Sequence, residues 1–202
     1  MSAKAVVDAF PIALQRDVRS GSVVRSQFRG VELIIWRDDC DGIHVWEDRC
    51  PHRSVRLSAG RNLGDGIQAA YHGWKFGKDG SVVDIPAERH SVRADIRVKT
   101  FPCAIGDGFV WIGDLGKPTP PKALATIRED AYLRPLYIDA PAKVVTKALP
   151  ETSDLQLWVT PCDDNLSLVM GYTLLRSTPD ATRCANNLLD RLRRAIEASG
   201  RP

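Results

Sequence analysis

Three residues in the first half of the chain have the types and spacing of metal ligands. Cys50 and His52 are separated by one residue, and His72 follows in a second, glycine-containing segment. A thiolate and an imidazole at this spacing can bind metal from one loop, and a second loop can complete the site. The pattern therefore predicts a metal or iron–sulfur centre built from two loops.

The other cysteines and histidines do not extend this pattern. The cysteines are Cys40, Cys50, Cys103, Cys162 and Cys184, and the histidines are His44, His52, His72 and His90. Five widely scattered cysteines do not form a disulfide framework. We interpret His44 as a packed or solvated side chain and assign no role to His90.

Composition excludes several classes of partner. Apolar residues make up 44% of the 202 residues and charged residues 26%, which is typical of a globular protein. The formal charge of +3 is too small to indicate a nucleic-acid or anionic-membrane partner. No apolar run is long enough to span a membrane. Residues 1–16 lack the continuous apolar region of a signal peptide, so we expect a cytoplasmic location.

The first 115 residues are predicted to form short antiparallel strands. β-rich segments at 22–28, 31–37, 43–47 and 109–112 are separated by turns that contain Asp-Gly or glycine pairs. The fold class is therefore mainly β, an antiparallel sandwich or barrel. A connector with three prolines occupies residues 117–121, which divides the chain into a domain at 1–116 and a small α+β domain at 122–202.

The second domain is predicted to contain strands, a hairpin and a terminal helix. We expect a strand at 143–149 and a hairpin at 155–174 with one buried face. Ser177 or Thr178 is predicted to cap a helix that ends at Gly200. Its apolar stripe is predicted to contain Cys184, Leu188, Leu192 and Ile196.

Several motifs together resemble the Rieske [2Fe–2S] domain of ring-hydroxylating and O-demethylating oxygenases. They are WEDRCPHR (46–53), LSAG (57–60), GDGIQ (64–68), YHGWKF (71–76), GSVVDIP (80–86), FP (101–102) and GFVWIG (108–113). The resemblance covers residues 10–115. It implies two cluster-binding loops, with Cys50, His52 and His72 as ligands of a [2Fe–2S] cluster. It also implies single-electron transfer from a reductase to a partner oxygenase.

The resemblance fails at one ligand. Rieske domains carry Cys-x-His and then, after a gap, Cys-x-x-His. The residue three before His72 is Ala69, and the 16 residues between His52 and Ala69 preserve the family's gap. Alanine has no lone pair to offer a metal. We therefore expect an impaired cluster, because the iron that two thiolates normally bind retains only Cys50.

Several alternatives remain open for this site. Asp65, Cys40, Cys103 or a water molecule could replace the missing thiolate. Cys50, His52 and His72 could together bind a single zinc or iron ion. The loops could also hold no metal, in a degenerate module that acts as a structural or regulatory subunit.

The second half of the chain lacks the residues of an oxygenase active site. Oxygenases of this family continue into a larger helix-grip domain, where two histidines and one carboxylate bind a mononuclear iron. No histidine lies beyond residue 90, so this chain does not supply that site. The hairpin and the terminal helix are interpreted as a remnant of the domain. We expect a reductase or a complete oxygenase subunit as partner, and an oligomer that covers exposed apolar strand surface.

Overall fold

Antiparallel strands form most of the structure. The computed structural model describes residues 9–87, 95–114, 116, 118–121, 127–174 and 179–200. The strands in these ranges are β1 (Ala9–Leu14), β2 (Val23–Phe28), β3 (Val31–Arg37), β4 (Ile43–Glu47), β5 (Arg61–Asn62), β6 (Gly66–Gln68), β7 (Lys75–Gly77), β8 (Val82–Asp84), β9 (Thr100–Phe101), β10 (Cys103–Gly106), β11 (Phe109–Gly113), β12 (Leu136–Ile138), β13 (Leu155–Pro161) and β14 (Ser167–Thr173). The helices are α1 (Ala142–Ala148) and α2 (Pro179–Ser199), with 3-10 turns at Gln15–Asp17, Leu57–Ala59 and Glu129–Ala131. The mainly β prediction is confirmed.

The strands pair into four sheets. Their orders are β1-β11-β10, β2-β3-β4-β9, β5-β6-β7-β8 and β12-β14-β13. Four of the predicted strands coincide with β2, β3, β4 and β11 to within one residue. In the described ranges, no helix is long and apolar enough to cross a membrane.

Strand β3 is buried on both of its faces. Leu33 and Ile35 pack into one apolar cluster, whereas Ile34 and Trp36 pack into another. All four side chains have 0% exposure. Burial on both sides explains the imperfect alternation in the sequence, because a strand between two cores is apolar at consecutive positions. The second of these clusters lies beneath the predicted ligand loops.

The small sheet β5-β6-β7-β8 carries the second of those loops between β6 and β7. Glycine is required at Gly66 because a Cβ there would lie 2.0 Å from the carbonyl oxygen of Phe76 on the paired strand. The close approach of the two strands determines where the loop begins and ends.

The C-terminal sheet corrects two predictions about strands. The segment predicted as a strand at 143–149 is helix α1, even though its β-branched residues favour strand. Val145 has 0% exposure in the cluster that α1 shares with α2, so tertiary packing outweighs local propensity. The predicted hairpin is confirmed as β13 and β14, but β14 is buried along its whole length rather than on one face.

Helix α2 also differs in its buried face. The described helix begins at Pro179, so the predicted caps at 177 and 178 lie outside the described residues. Cys184 and Leu188 are exposed, whereas Ala185, Leu189 and Ile196 are buried. The predicted stripe is confirmed at Ile196, and Leu192 packs against the same cluster, but it is wrong at Cys184 and Leu188 because steps of four residues drift by about 40° each on a helix of 3.6 residues per turn.

Aromatic side chains join the C-terminal sheet to the first sheet. Phe109 on β11 lies 5.4 to 5.5 Å from Tyr132 and Trp158, measured between ring centroids. Trp111 meets Trp158 edge-on at 5.2 Å. The Thr160 hydroxyl donates to the Pro11 carbonyl at 2.6 Å. The two predicted domains therefore share a core, and the boundary between them stays a prediction.

A buried carboxylate holds the turn between β3 and β4. Asp38 has 5% exposure and accepts the backbone N–H groups of Cys40 and Gly42, each at 2.8 Å. His44 and Lys78 lie 2.9 and 3.0 Å from its Oδ2. These partners, with His44 the largest contributor, hold the pKa of Asp38 well below its usual value.

Removing this carboxylate is expected to destabilise the fold in a pH-dependent manner. Asp38→Asn should lower the free energy of unfolding by about 1.5–3 kcal/mol at pH 7, because it removes charged hydrogen bonds. Because the pKa of Asp38 is lower in the folded protein, its ionised carboxylate stabilises the fold at pH values above the ordinary pKa of 3.8. This stabilisation is lost progressively as the pH falls below that value. In urea titrations, the difference in the free energy of unfolding between wild type and Asp38→Asn should therefore have its full value at pH 7 and be smaller at pH 3.

Asp41→Asn is the matched control for this prediction. The Asp41 side chain is 84% exposed and its φ of 69° suits asparagine. We expect little change in stability from this variant. If the difference in the free energy of unfolding between wild type and Asp38→Asn were as large at pH 3 as at pH 7, Asp38 would not stabilise the fold through its ionised carboxylate.

Candidate functional site

The first ligand loop leaves strand β4 and turns back sharply at Cys50. The Cys50 N–H donates to the Val55 carbonyl, and the Ser54 N–H donates to the Cys50 carbonyl, both at 2.8 Å. Ser54 has a φ of 58°, which allows the chain to reverse. Cys50 is buried with 2% exposure, whereas His52 at the tip of the turn is partly exposed. The loop thus directs its thiol inward and holds its imidazole near the surface.

Asp48 closes this loop at its base. Its side chain is 1% exposed and accepts the Ser58 N–H at 2.7 Å and the Ser58 hydroxyl at 2.5 Å. The Asp48 N–H donates to the Glu32 carbonyl at 2.9 Å. One buried carboxylate therefore joins the two ends of the segment that carries Cys50 and His52. Sequence reasoning missed this role, and the only signal was an acidic residue two positions before the cysteine.

The second loop reverses between β6 and β7. The Ala69 N–H donates to the Trp74 carbonyl at 2.8 Å and closes the turn. His72 and Gly73 have φ values of 63° and 67°, so the turn passes through two consecutive left-handed residues. A left-handed backbone is uncommon for histidine, and here it places the His72 ring opposite the first loop.

The structure brings the two predicted histidines together. Nδ1 of His52 lies 3.3 Å from Nδ1 of His72. The His52 ring stacks on Trp74 at 4.4 Å with an interplanar angle of 6°. The His72 ring stacks on Tyr71 at 3.8 Å. Loss of solvation, followed by the electrostatic effects of the neighbouring His72 and Arg53 side chains, lowers the pKa of His52. This shift favours the neutral imidazole, which is the form that binds metal.

The sulfur side of the site is apolar. Cys50 and Ala69 belong to one buried cluster that also contains Leu57, Ile67 and Trp74. The methyl group of Ala69, at 2% exposure, provides no ligand atom on this side of the site. The side chains described here would therefore supply two imidazoles and one thiol to a cluster, one ligand fewer than the two imidazoles and two thiolates that the resemblance implies.

The other candidate ligands do not complete a described metal site. In the described ranges, no group of three or more His, Cys, Asp or Glu side chains is arranged to hold a metal ion. The Cys40 thiol lies near Lys78, and the Cys103 thiol donates to the Ile43 carbonyl. Asp65 is exposed. Binding of one ion by Cys50, His52 and His72 together stays a prediction.

The predictions for His44 and His90 can be compared with the structure only at His44. His44 is packed, as expected, with its ring stacked on Trp36 at 4.4 Å and its Nε2 beside Asp38. His90 lies outside the described residues.

Asp48 gives a testable prediction for the first loop. Asp48→Ala should lower the free energy of unfolding by about 1–3 kcal/mol, because it leaves the Ser58 N–H and hydroxyl without their acceptor. Hydrogen exchange at the Ser58 amide should become faster than in wild type. The control is Asp84→Ala, which removes only an exposed ion pair with Lys75. Unchanged exchange at Ser58 would show that Asp48 does not hold the loop.

Comparisons with known proteins show which family the N-terminal part of the chain is similar to. A model of the Rieske [2Fe-2S] domain matches residues 8–102. The chain is 39% identical over 126 residues to the oxidoreductase NdmD of Pseudomonas putida, covering 61% of this chain and 21% of that protein. It is 37% identical over 94 residues to the 3-chlorobenzoate-3,4-dioxygenase oxygenase subunit of Comamonas testosteroni, covering 46% and 22%. The chain thus spans about a fifth of the length of these relatives.

Solved structures extend the likeness in fold beyond the matched segment. Apo dicamba monooxygenase superposes with a TM-score of 0.75 at 16% identity, over 94% of this chain and 85% of that chain. NdmA of Pseudomonas putida CBB5 gives a TM-score of 0.74 at 17% identity, over 94% and 80%. At 16% and 17% sequence identity, the similarity to these two structures is evidence about the fold alone. Taken with the two loops and the family match, it shows that the chain contains a Rieske [2Fe–2S] domain with homologues among ring-hydroxylating oxygenases.

Proposed function

We propose that this chain belongs to an oxygenase system, and that its Rieske domain inherits a role in single-electron transfer but holds an impaired cluster. The partners would be a reductase and a complete oxygenase subunit. The relatives named above support this assignment, since they include an oxidoreductase and an oxygenase subunit.

The spacing of Ala69 in the motif carries the proposal. Ala69 follows His52 after a gap of 16 residues and stands three before His72, where the resemblance implies a cysteine, and its N–H closes the second loop on the Trp74 carbonyl. Of the four side chains that a Rieske cluster needs, three are present, namely Cys50, His52 and His72. A cluster held by three ligands loses one of the bonds that retain its thiolate-bound iron, so we expect it to assemble poorly.

A second candidate function is that of a structural or regulatory subunit. Hydrogen bonds within the protein brace both loops, through the Asp48–Ser58 contacts and the turn that Ala69 closes. The shared aromatic core likewise depends on packing alone. A module that docks on an oxygenase partner would retain its shape without a cluster.

Metal and sulfide content tests the impaired cluster. The full chain is purified anaerobically, and iron, acid-labile sulfide and zinc are measured per chain. The electron paramagnetic resonance spectrum is then recorded after reduction with dithionite. We expect iron and sulfide well below two each per chain and no Rieske signal. Red-brown protein with two irons and two sulfides per chain would overturn the interpretation of Ala69.

We assign no catalytic iron to residues 91–202. None of the four histidines lies beyond residue 90, so the C-terminal part has no pair of histidines for a two-histidine, one-carboxylate site. The fold of the C-terminal part, which resembles that of the solved oxygenases, supports its interpretation as a helix-grip remnant.

A further inference from the structure

We propose that the histidine half of the site binds a single divalent transition-metal ion by itself, through Nδ1 of His52 and Nδ1 of His72. The inference rests on the proposed function in one respect, namely that Ala69 prevents a standard cluster from filling the site. It goes further because it assigns a different occupant, a mononuclear ion of the class that imidazole ligands favour, such as zinc, cobalt or iron(II).

The separation of the two nitrogens suits one shared ion. They lie 3.3 Å apart. Two imidazole nitrogens bound to one tetrahedral zinc ion at about 2.0–2.1 Å would be about 3.4 Å apart. The ring atoms therefore require almost no movement to accept an ion between them. In the metal-free protein, the same separation permits one Nδ1–H to donate to the other Nδ1.

Neighbouring aromatic rings fix both imidazoles in place. His52 is stacked almost parallel to Trp74, which itself is 7% exposed and belongs to the buried cluster. His72 is stacked on Tyr71 and held by the left-handed backbone at residues 72 and 73. Ligands that are already oriented lose little conformational freedom on binding, so two of them can bind an ion that two mobile surface histidines would not.

The sulfur side of the site does not need to take part. Cys50 and Ala69 lie in the apolar cluster beneath the loops, each at 2% exposure. His72 and Tyr71 are exposed on the opposite, outer side. The remaining coordination positions of the ion would therefore face solvent and be filled by water.

Cobalt(II) provides the test because its visible absorption reports the number and type of ligands. The full chain is first assayed for iron and sulfide, so that a resident cluster, which would refute the impaired-cluster proposal, is recognised before metal is added. It is then stripped with a chelator, dialysed and titrated with cobalt(II). The variants are His52→Ala, His72→Ala, Cys50→Ser and the control His44→Gln, which removes a histidine outside the pair and keeps a donor for Asp38. Circular dichroism confirms that each variant is folded.

We expect one cobalt ion per wild-type chain and binding at least about tenfold weaker in either His52→Ala or His72→Ala, because each removes a direct ligand. Binding should be unchanged in the control His44→Gln, and the wild-type spectrum should show no cobalt–thiolate charge-transfer band. Wild-type affinity in either His52→Ala or His72→Ala would overturn the inference. A thiolate band that disappears in Cys50→Ser would overturn the two-imidazole assignment in favour of three protein ligands.

Discussion

Ala69→Cys is expected to convert the chain into a protein that assembles a Rieske cluster. The substitution supplies a second thiolate at the family's spacing, opposite a histidine pair that is already oriented. After anaerobic reconstitution with iron and sulfide, we expect two irons and two sulfides per chain, a red-brown colour and a Rieske electron paramagnetic resonance signal. Wild type treated in the same way should show none of these in comparable amount.

Ala70→Cys is the matched control for this gain. It adds a cysteine one position further along the same loop, at an exposed residue rather than at the buried position of Ala69. The control should not form a Rieske cluster. If Ala69→Cys also failed to give the signal while remaining folded, the loops would not have the geometry that the structure shows.

Phe109→Ala is expected to have the largest effect on stability. Phe109 is fully buried and its ring contacts four other aromatic rings, one before the predicted connector at residues 117–121 and three after it. They are Trp111, Tyr132, Trp158 and Tyr172. Truncation of such a side chain leaves a cavity and should lower the free energy of unfolding by about 3–5 kcal/mol. Urea titration should show this as a lower midpoint.

The same titration tests whether the two parts unfold together. Tryptophan fluorescence reports mainly on the N-terminal part, and far-ultraviolet circular dichroism reports on helices α1 and α2 in the C-terminal part. We expect coincident transitions in wild type. Phe109→Leu provides a milder variant if Phe109→Ala does not fold, and Val83→Ala, at a side chain 52% exposed, should change stability by no more than about 0.5 kcal/mol. Two separate transitions in wild type would contradict a shared core.

Strands β2, β3 and β4 could be predicted from sequence because local signals and burial agree there. Asp-Gly or glycine turns separate these strands, and the apolar residues between the turns are buried or half-buried. The C-terminal part was harder to predict. The β-branched residues of α1 favour strand, and only the burial of Val145 against α2 explains the helix.

The closeness of the two histidines could be predicted from sequence, but the contacts that support them could not. Motif spacing singled out Cys50, His52 and His72 as candidate ligands, and the structure places the two imidazoles side by side. Their role as ligands, and that of Ala69 as the replacement of a cysteine, stay predictions. The buried hydrogen bonds of Asp48 and the stacking of Trp74 on His52 depend on residues that meet only after the loops fold. Periodicity and motif spacing contain no signal for such contacts between segments.

A crystal structure of the wild-type chain is the most direct test. We expect Nδ1 of His52 and Nδ1 of His72 to lie about as close as the 3.3 Å described above, or to bind one shared ion. We also expect Cys50 and Ala69 to share one buried cluster beneath them. A structure in which the two imidazoles point away from each other, or in which Cys50 lies far from Ala69, would contradict these expectations.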